Sequence, residues 1–204
     1  MNFLDSRFYA IVDRFSNLLI LNIFWIVSCI PIVTIAPATS AMYSVVRQWG
    51  LHQDTSVIRN YFRYFKENFK TSFIVGIIWT VLAILLYFNY FYLNQDGTAI
   101  RYIIMIPLFL TSLLFLTVST FLFPVIAHYN IDWKEVLKNS FMATIANFQT
   151  AVLILMILAV FGFVLYYFPA AFLIIFSCAA YINFLLCNRG FQRMEVVSGR
   201  VSGK

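Results

Sequence analysis

Charge is what this chain has least of. Only 11% of its 204 residues are charged, against roughly 25% in an average soluble protein. No Asp, Glu, Lys or Arg occurs from Thr71 to Gln95, from Tyr102 to Tyr129, or from Asn139 to Asn188. A bilayer core of ~30 Å needs about 20 apolar residues in a helix, and these gaps supply that length repeatedly. A soluble globular protein is excluded.

Motifs of catalysis and ligation are also missing. Cys29, Cys178 and Cys187 form no CxxC and lie in hydrophobic segments, where they read as small buried apolar side chains. His52 and His128 stand without an HxxxH, an HExxH or a Cys/His cluster, so interfacial side chains are expected rather than metal ligands. No G-x-G-x-x-G, Walker A or G-x-S-x-G motif exists, which removes the support for ATP hydrolysis or serine hydrolase chemistry. No Asp, Glu, Lys, Arg or His falls within the core of a span, as proton- or ion-coupled transporters generally require. The expectation is a non-enzyme with no cofactor and no metal.

What the chain has instead is apolar bulk: 62% hydrophobic residues, with 23 Phe and 12 Tyr. The pattern predicts an all-α, polytopic helical membrane bundle in one domain. It has five full spans and one short or re-entrant arm, six arms in all. Spans are expected over 18–35, 37–50 (short), 72–93, 101–127, 149–168 and 169–187, with a tail over 188–204. Three amphipathic interfacial helices, 3–16, 55–70 and 132–147, each precede a span. Leu4, Phe8, Ile11 and Phe15 repeat at helical spacing, as do Ile58, Phe62, Phe65 and Phe69. Asp132 and Glu135 form a D-x-x-E capping box at the start of the third, and capping accounts for both carboxylates. The chain thus reads as surface helix, span, turn and returning span, used three times in hydropathy rather than in residue identity.

The net charge of +6 sits beside the spans, which points to anionic lipid headgroups and topology rather than nucleic acid. With six arms and both termini cytoplasmic, every Lys and Arg except Arg101 falls on the cytoplasmic side. With five spans, Arg7 and Arg14 join Arg101 outside. The six-arm arrangement obeys the positive-inside tendency better. Tyr and Phe at 87–92, Tyr102 and 166–168 suit the headgroup level at the opposite turns. Pro169 suits the first turn of the last returning helix.

The stretch Ile30-Pro31-Ile32-Val33-Thr34-Ile35-Ala36-Pro37-Ala38 carries a small-x-small pattern, Ala36-Pro37-Ala38, of the kind found at signal cleavage sites. The segment before it is too long, and with Asp5 and Asp13 too acidic, for a signal peptide. It is read as a buried turn: Pro31 ends one helix and Pro37 starts a short return. Non-helical backbone at that depth needs cover from protein, with Thr34, Thr39 and Ser40 taking up freed carbonyls. Pro107 and Pro124 are expected to kink or bound the fourth arm.

Leu21-Asn22 with Trp25, the Pro31–Ala38 stretch, and Tyr43 and Arg47 resemble the signature of the YesL-like family of bacterial integral membrane proteins. The aromatic-basic run over 61–70 resembles it too. One departure is visible, since Ala36 stands where the family usually has Gly. The resemblance implies a location in the bacterial cell membrane and no established biochemical activity. It also implies a setting beside carbohydrate ABC importers and glycoside hydrolases.

Asn22 and Asn183 are the costliest polar residues in the spans. They are expected either to pair between the first and last spans or to line a small polar cavity. Arg59, Arg63, Lys66 and Lys70 form a basic stripe, read either as an anchor on anionic lipid or as a partner-docking face with Trp133 beside it. The functional expectation is a non-enzymatic accessory protein that assists or regulates a carbohydrate ABC importer. The alternative is a permease or channel for a small uncharged solute such as a sugar. The six-arm topology predicts that Ser6→Cys is not labelled by an impermeant thiol reagent added outside cells; strong labelling would favour five spans.

Overall fold

The computed structural model describes residues 3–50, 56–95, 100–129 and 131–197. Seven α-helices occur among them: α1 (Phe3–Cys29), α2 (Ile35–Gly50), α3 (Val57–Gln95), α4 (Ile100–His128), α5 (Trp133–Ala146), α6 (Phe148–Tyr167) and α7 (Ile175–Val197). Short 3-10 turns lie at Ile32–Thr34 and Pro169–Leu173, and no strand occurs among the described residues. The protein is an all-α membrane bundle. Val12–Cys29, Val57–Leu93, Arg101–His128 and Phe148–Tyr167 are long and apolar enough to cross a bilayer.

Helix boundaries differ from the sequence expectation in a regular way. The first surface helix and the first span are one helix, as are the second surface helix and its span. Neither junction carries a Gly or Pro, so hydropathy changes there while the backbone hydrogen-bond ladder does not. The first span ends at Cys29 rather than at 35. The last helix begins at Ile175, after a 3-10 turn opened by Pro169, and runs to Val197, into the residues read as a tail. Pro107 and Pro124 both lie inside α4 and bound nothing.

α5 and α6 are separated only by Asn147, whose backbone (φ −125°, ψ 43°) breaks the helix. Gly190 of α7 lies against its side chain, where an added Cβ would come within 3.0 Å. Asp132 stands in the N-cap position of α5 with extended backbone, yet its carboxylate makes no capping hydrogen bond. The capping-box expectation is corrected to the backbone alone, with the Val136 amide donating to the Asp132 carbonyl at 3.0 Å. Glu135 remains in the first turn, where the helix dipole favours a carboxylate.

The short arm occupies the centre of the bundle. α2 has 16 residues, about 24 Å at 1.5 Å per residue, and packs on α1, α3, α4 and α7. Pro37, Ala38, Ser40, Ala41, Met42, Tyr43, Ser44, Val45 and Val46 are all buried. Small residues at this spacing let neighbouring backbones approach, which is how helices associate where no hydrophobic force drives them together. α2 and α3 run antiparallel: Gln48 donates to the Tyr64 hydroxyl, Asn68 donates to Ser44 Oγ at 3.1 Å, and Ala36 rests on Gly76. An ideal Cβ on Gly76 would stand 2.5 Å from the Ala36 methyl. The missing glycine of the turn therefore has its counterpart across the interface.

Around this centre lie two apolar clusters. One gathers Leu21, Val45, Tyr61 and Phe184, and the other Val75, Phe121, Val136, Ile154 and Phe191. Much of the remaining apolar surface faces outward, including Ile103, Ile106, Val160 and Phe163, each at least 60% exposed. Water would penalise such a surface, whereas lipid accepts it.

Gly76→Ala is expected to overpack the α2–α3 contact and cost about 1–3 kcal/mol, read as a lower thermal midpoint in detergent. Ala36→Gly in the same chain should restore most of that loss.

Candidate functional site

The signature residues converge on the break before α7. The 3-10 turn at 169–173 interrupts the helical ladder and leaves backbone groups without their usual partners. Asn22 of α1 closes the gap. Its Nδ2 donates to the Phe172 carbonyl at 2.8 Å, and its Oδ1 accepts from the Ser177 amide at 3.2 Å. Ser177 is the third residue of α7, the position an N-cap side chain normally serves. Asn22 thus caps α7 from another helix. One turn along α1, Trp25 stacks on Phe176 at 4.6 Å between ring centroids and donates from Nε1 to Thr39 Oγ1 at 3.1 Å. Leu21 is fully buried beside them.

A second polar junction lies between α2, α4 and α7. Pro124 has no amide hydrogen, so the Thr120 carbonyl four residues earlier lacks its helical donor. Asn183 of α7 supplies one from Nδ2 at 3.2 Å, and the same nitrogen donates to the Tyr43 hydroxyl at 2.7 Å. The Cys187 thiol donates to Asn183 Oδ1 at 3.2 Å. Both amide hydrogens and the amide oxygen are used. The space beside Asn183, lined by Ile154, Ile157, Leu158 and Leu186 among others, has no room for a water. Asn22 and Asn183 therefore do not pair with each other; each bridges different helices.

The 30–34 turn corrects another expectation. Pro37 is buried and Thr34 half-buried, but Pro31 is exposed, as are Ile30 at 75% and Ile32 at 82%. Cover from protein is unnecessary because the turn satisfies itself. The Thr34 amide donates to the Pro31 carbonyl at 2.9 Å, and the Thr34 hydroxyl reaches the Ser28 and Pro31 carbonyls, each at 2.6 Å. Thr39 Oγ1 donates to the Ile35 carbonyl at 2.7 Å. Ser40 Oγ takes no part.

Arg59, Arg63, Lys66 and Lys70 are all exposed along the first half of α3. The inward face of that segment is Val57, Asn60, Tyr61 and Ser72; Phe65 packs on the first apolar cluster, while Ile58, 52% exposed, and Phe62, 46% exposed, turn outward with the cations. A surface that pairs apolar and basic side chains suits the headgroup boundary. The Arg63 guanidinium lies over the Tyr64 ring at 4.7 Å and 3.9 Å from Glu67. Trp133 packs with Tyr129, Ile131 and Leu137 on the second apolar cluster, with the Lys134 ammonium 5.4 Å over its ring.

Among the described residues, no group of three or more His, Cys, Asp or Glu could hold a metal ion. The chemistry of the site is structural hydrogen bonding. The residue that sequence reasoning did not connect to it is Pro124, and a signal existed: a proline inside a span frees one carbonyl, and a lone Asn in another span needs an acceptor.

Residues 18–90, which hold the signature segment and most of α3, match the family described as "Protein of unknown function, DUF624". Over 185 residues the chain is 29% identical to "Uncharacterized protein YesL" of Bacillus subtilis (strain 168), covering 88% of this chain and 86% of that protein. By these matches the chain is similar to the YesL-like family. A second relative from the same organism, "Uncharacterized protein YteU", is 25% identical over 166 residues, 80% of this chain and 73% of that protein. No solved structure matches. In this YesL-like protein the signature residues Leu21, Asn22 and Trp25 hold α7 in place, and Tyr43 receives Asn183.

Asn183→Leu should strand the Thr120 carbonyl and cost about 1–3 kcal/mol, measured as loss of thermal stability in detergent. Pro124→Ala returns an amide donor to that carbonyl, so the double variant should recover a large part of the loss. Simple additivity of the two would show that the junction does not work this way.

Proposed function

We propose that this YesL-like protein is a non-enzymatic accessory protein of the bacterial cell membrane that assists or regulates a carbohydrate ABC importer. Both termini lie on the cytoplasmic side in this reading, following the positive-inside tendency. One observation carries it: the two asparagines of the spans are consumed in helix–helix bonds. Asn22 spans α1 and the start of α7, Asn183 spans α2, α4 and α7, and no water fits beside Asn183. A passage for an uncharged solute needs polar groups free to exchange partners along its length. A rigid interior suits a protein that works through its surface instead.

The surface offered for that work is the exposed Arg59, Arg63, Lys66 and Lys70 stripe. On a membrane-proximal helix such a stripe both anchors on anionic lipid, at ~1 kcal/mol per charge, and presents guanidinium groups to carboxylates of a partner. The importer as partner is what the family resemblance implies.

The test is gentle detergent extraction of the tagged chain from its native membrane, followed by identification of co-purifying proteins. Importer subunits are expected with the unaltered chain and should be depleted severalfold by Arg59→Glu with Arg63→Glu, at equal membrane insertion. Unchanged co-purification would remove the stripe as the docking face. Sugar flux into liposomes carrying only this protein, above that of empty liposomes, would overturn the accessory reading.

A further inference from the structure

Outside the signature region, an apolar groove runs between α3, α4 and α5. It measures about 350 Å³ and is lined from α3 by Ile78, Trp79, Leu82, Leu85, Leu86 and Asn89, from α4 by residues 111–118, and from α5 by Leu137 and Phe141. Its few polar side chains are turned away from it. Asn89 Nδ2 donates to the Leu85 carbonyl at 2.8 Å, Thr111 Oγ1 to the Pro107 carbonyl at 2.8 Å, and Trp79 Nε1 to Ser119 Oγ at 2.8 Å. Trp79 also stacks on Phe115 at 4.7 Å, which makes the floor rigid.

We propose that this groove holds one acyl chain of an anionic phospholipid, with the phosphate met by Lys134 and Lys138 at the α5 end. Size selects the occupant. From Ile78 to Asn89 the groove runs about 17 Å along α3 at 1.5 Å per residue. An extended acyl chain is thin enough to lie along that length, whereas a helix is about 10 Å across with its side chains.

The α5 end selects the headgroup. Lys134 and Lys138 are both exposed and lie four residues apart. Each is three residues before a groove-lining side chain, Leu137 and Phe141, and such pairs are neighbours on a helix surface. The ammonium groups can therefore reach a phosphate whose chain enters past Leu137 and Phe141. Within a bilayer the chain gains little by leaving other lipid for the groove, since both are apolar. Selectivity comes from the two lysines, which favour an anionic over a zwitterionic headgroup.

Native mass spectrometry of the full chain, taken from vesicles of equal phosphatidylglycerol and phosphatidylcholine with identical acyl chains, tests this. Phosphatidylglycerol should be retained in preference to phosphatidylcholine. Leu82→Trp, which fills the groove, should abolish retention of both. Lys134→Glu with Lys138→Glu should lower phosphatidylglycerol retention about tenfold or more and leave phosphatidylcholine unchanged. Leu110→Trp, on an exposed face of α4 outside the groove, serves as the control and should retain lipid normally. Circular dichroism and elution volume confirm that each variant is folded. Equal retention of the two lipids, or retention unaffected by Leu82→Trp, overturns the proposal. So does a disulfide between two copies of a Leu82→Cys variant formed in membranes, which would give the groove to a second chain.

Discussion

In hydrocarbon there is no water to take up a backbone group that has lost its partner, and this requirement governs how the helices of this protein can be arranged. Among the places that interrupt the regular ladder are the carbonyl freed by Pro124 and the turn before Ile175. Each is closed by an asparagine from a different helix. An asparagine reaches only a few ångströms, so these two repairs fix the placement of α7 against α1, α2 and α4 together. The turn at 30–34 needs no such help because Thr34 serves it locally.

The same logic explains why the shortest of the helices in the bundle proper, α2, is its hub. A helix enclosed by protein need not match the bilayer thickness, and its composition is not required to be lipophilic. α2 can therefore carry Ser40, Ser44 and Tyr43 at buried positions, with Asn68 and Asn183 reaching in from its neighbours. The lipid-facing helices carry the opposite burden, and their long apolar faces are what hydropathy detects.

Membrane class and the outline of the apolar helices were legible because charge gaps depend on local composition. The single-residue break at Asn147 was close to the expected division between 132–147 and 149–168 for the same reason. Other features depend on crossing angles, which no linear pattern records. The partners of Asn22 and Asn183 were not legible. The outward turn of Phe62 and Ile58 was hidden because a helix lying at the headgroup boundary can present apolar side chains to lipid rather than to protein. Ala36 looked like a departure that the turn had to tolerate. The accommodation lies forty residues away at Gly76, visible only once α2 and α3 are laid side by side.

The length of α3 has a mechanical consequence. Its 39 residues make a rod of about 58 Å, close to twice the ~30 Å hydrocarbon thickness, with no proline along it. The cations at 59–70 and the aromatic rings at 87–92 ride on that one rod. A tilt of about 5° imposed at the charged end displaces the aromatic end by about 5 Å over this length. Whatever binds the cations therefore acts on the same rod that carries the aromatic rings at the far rim of the bundle.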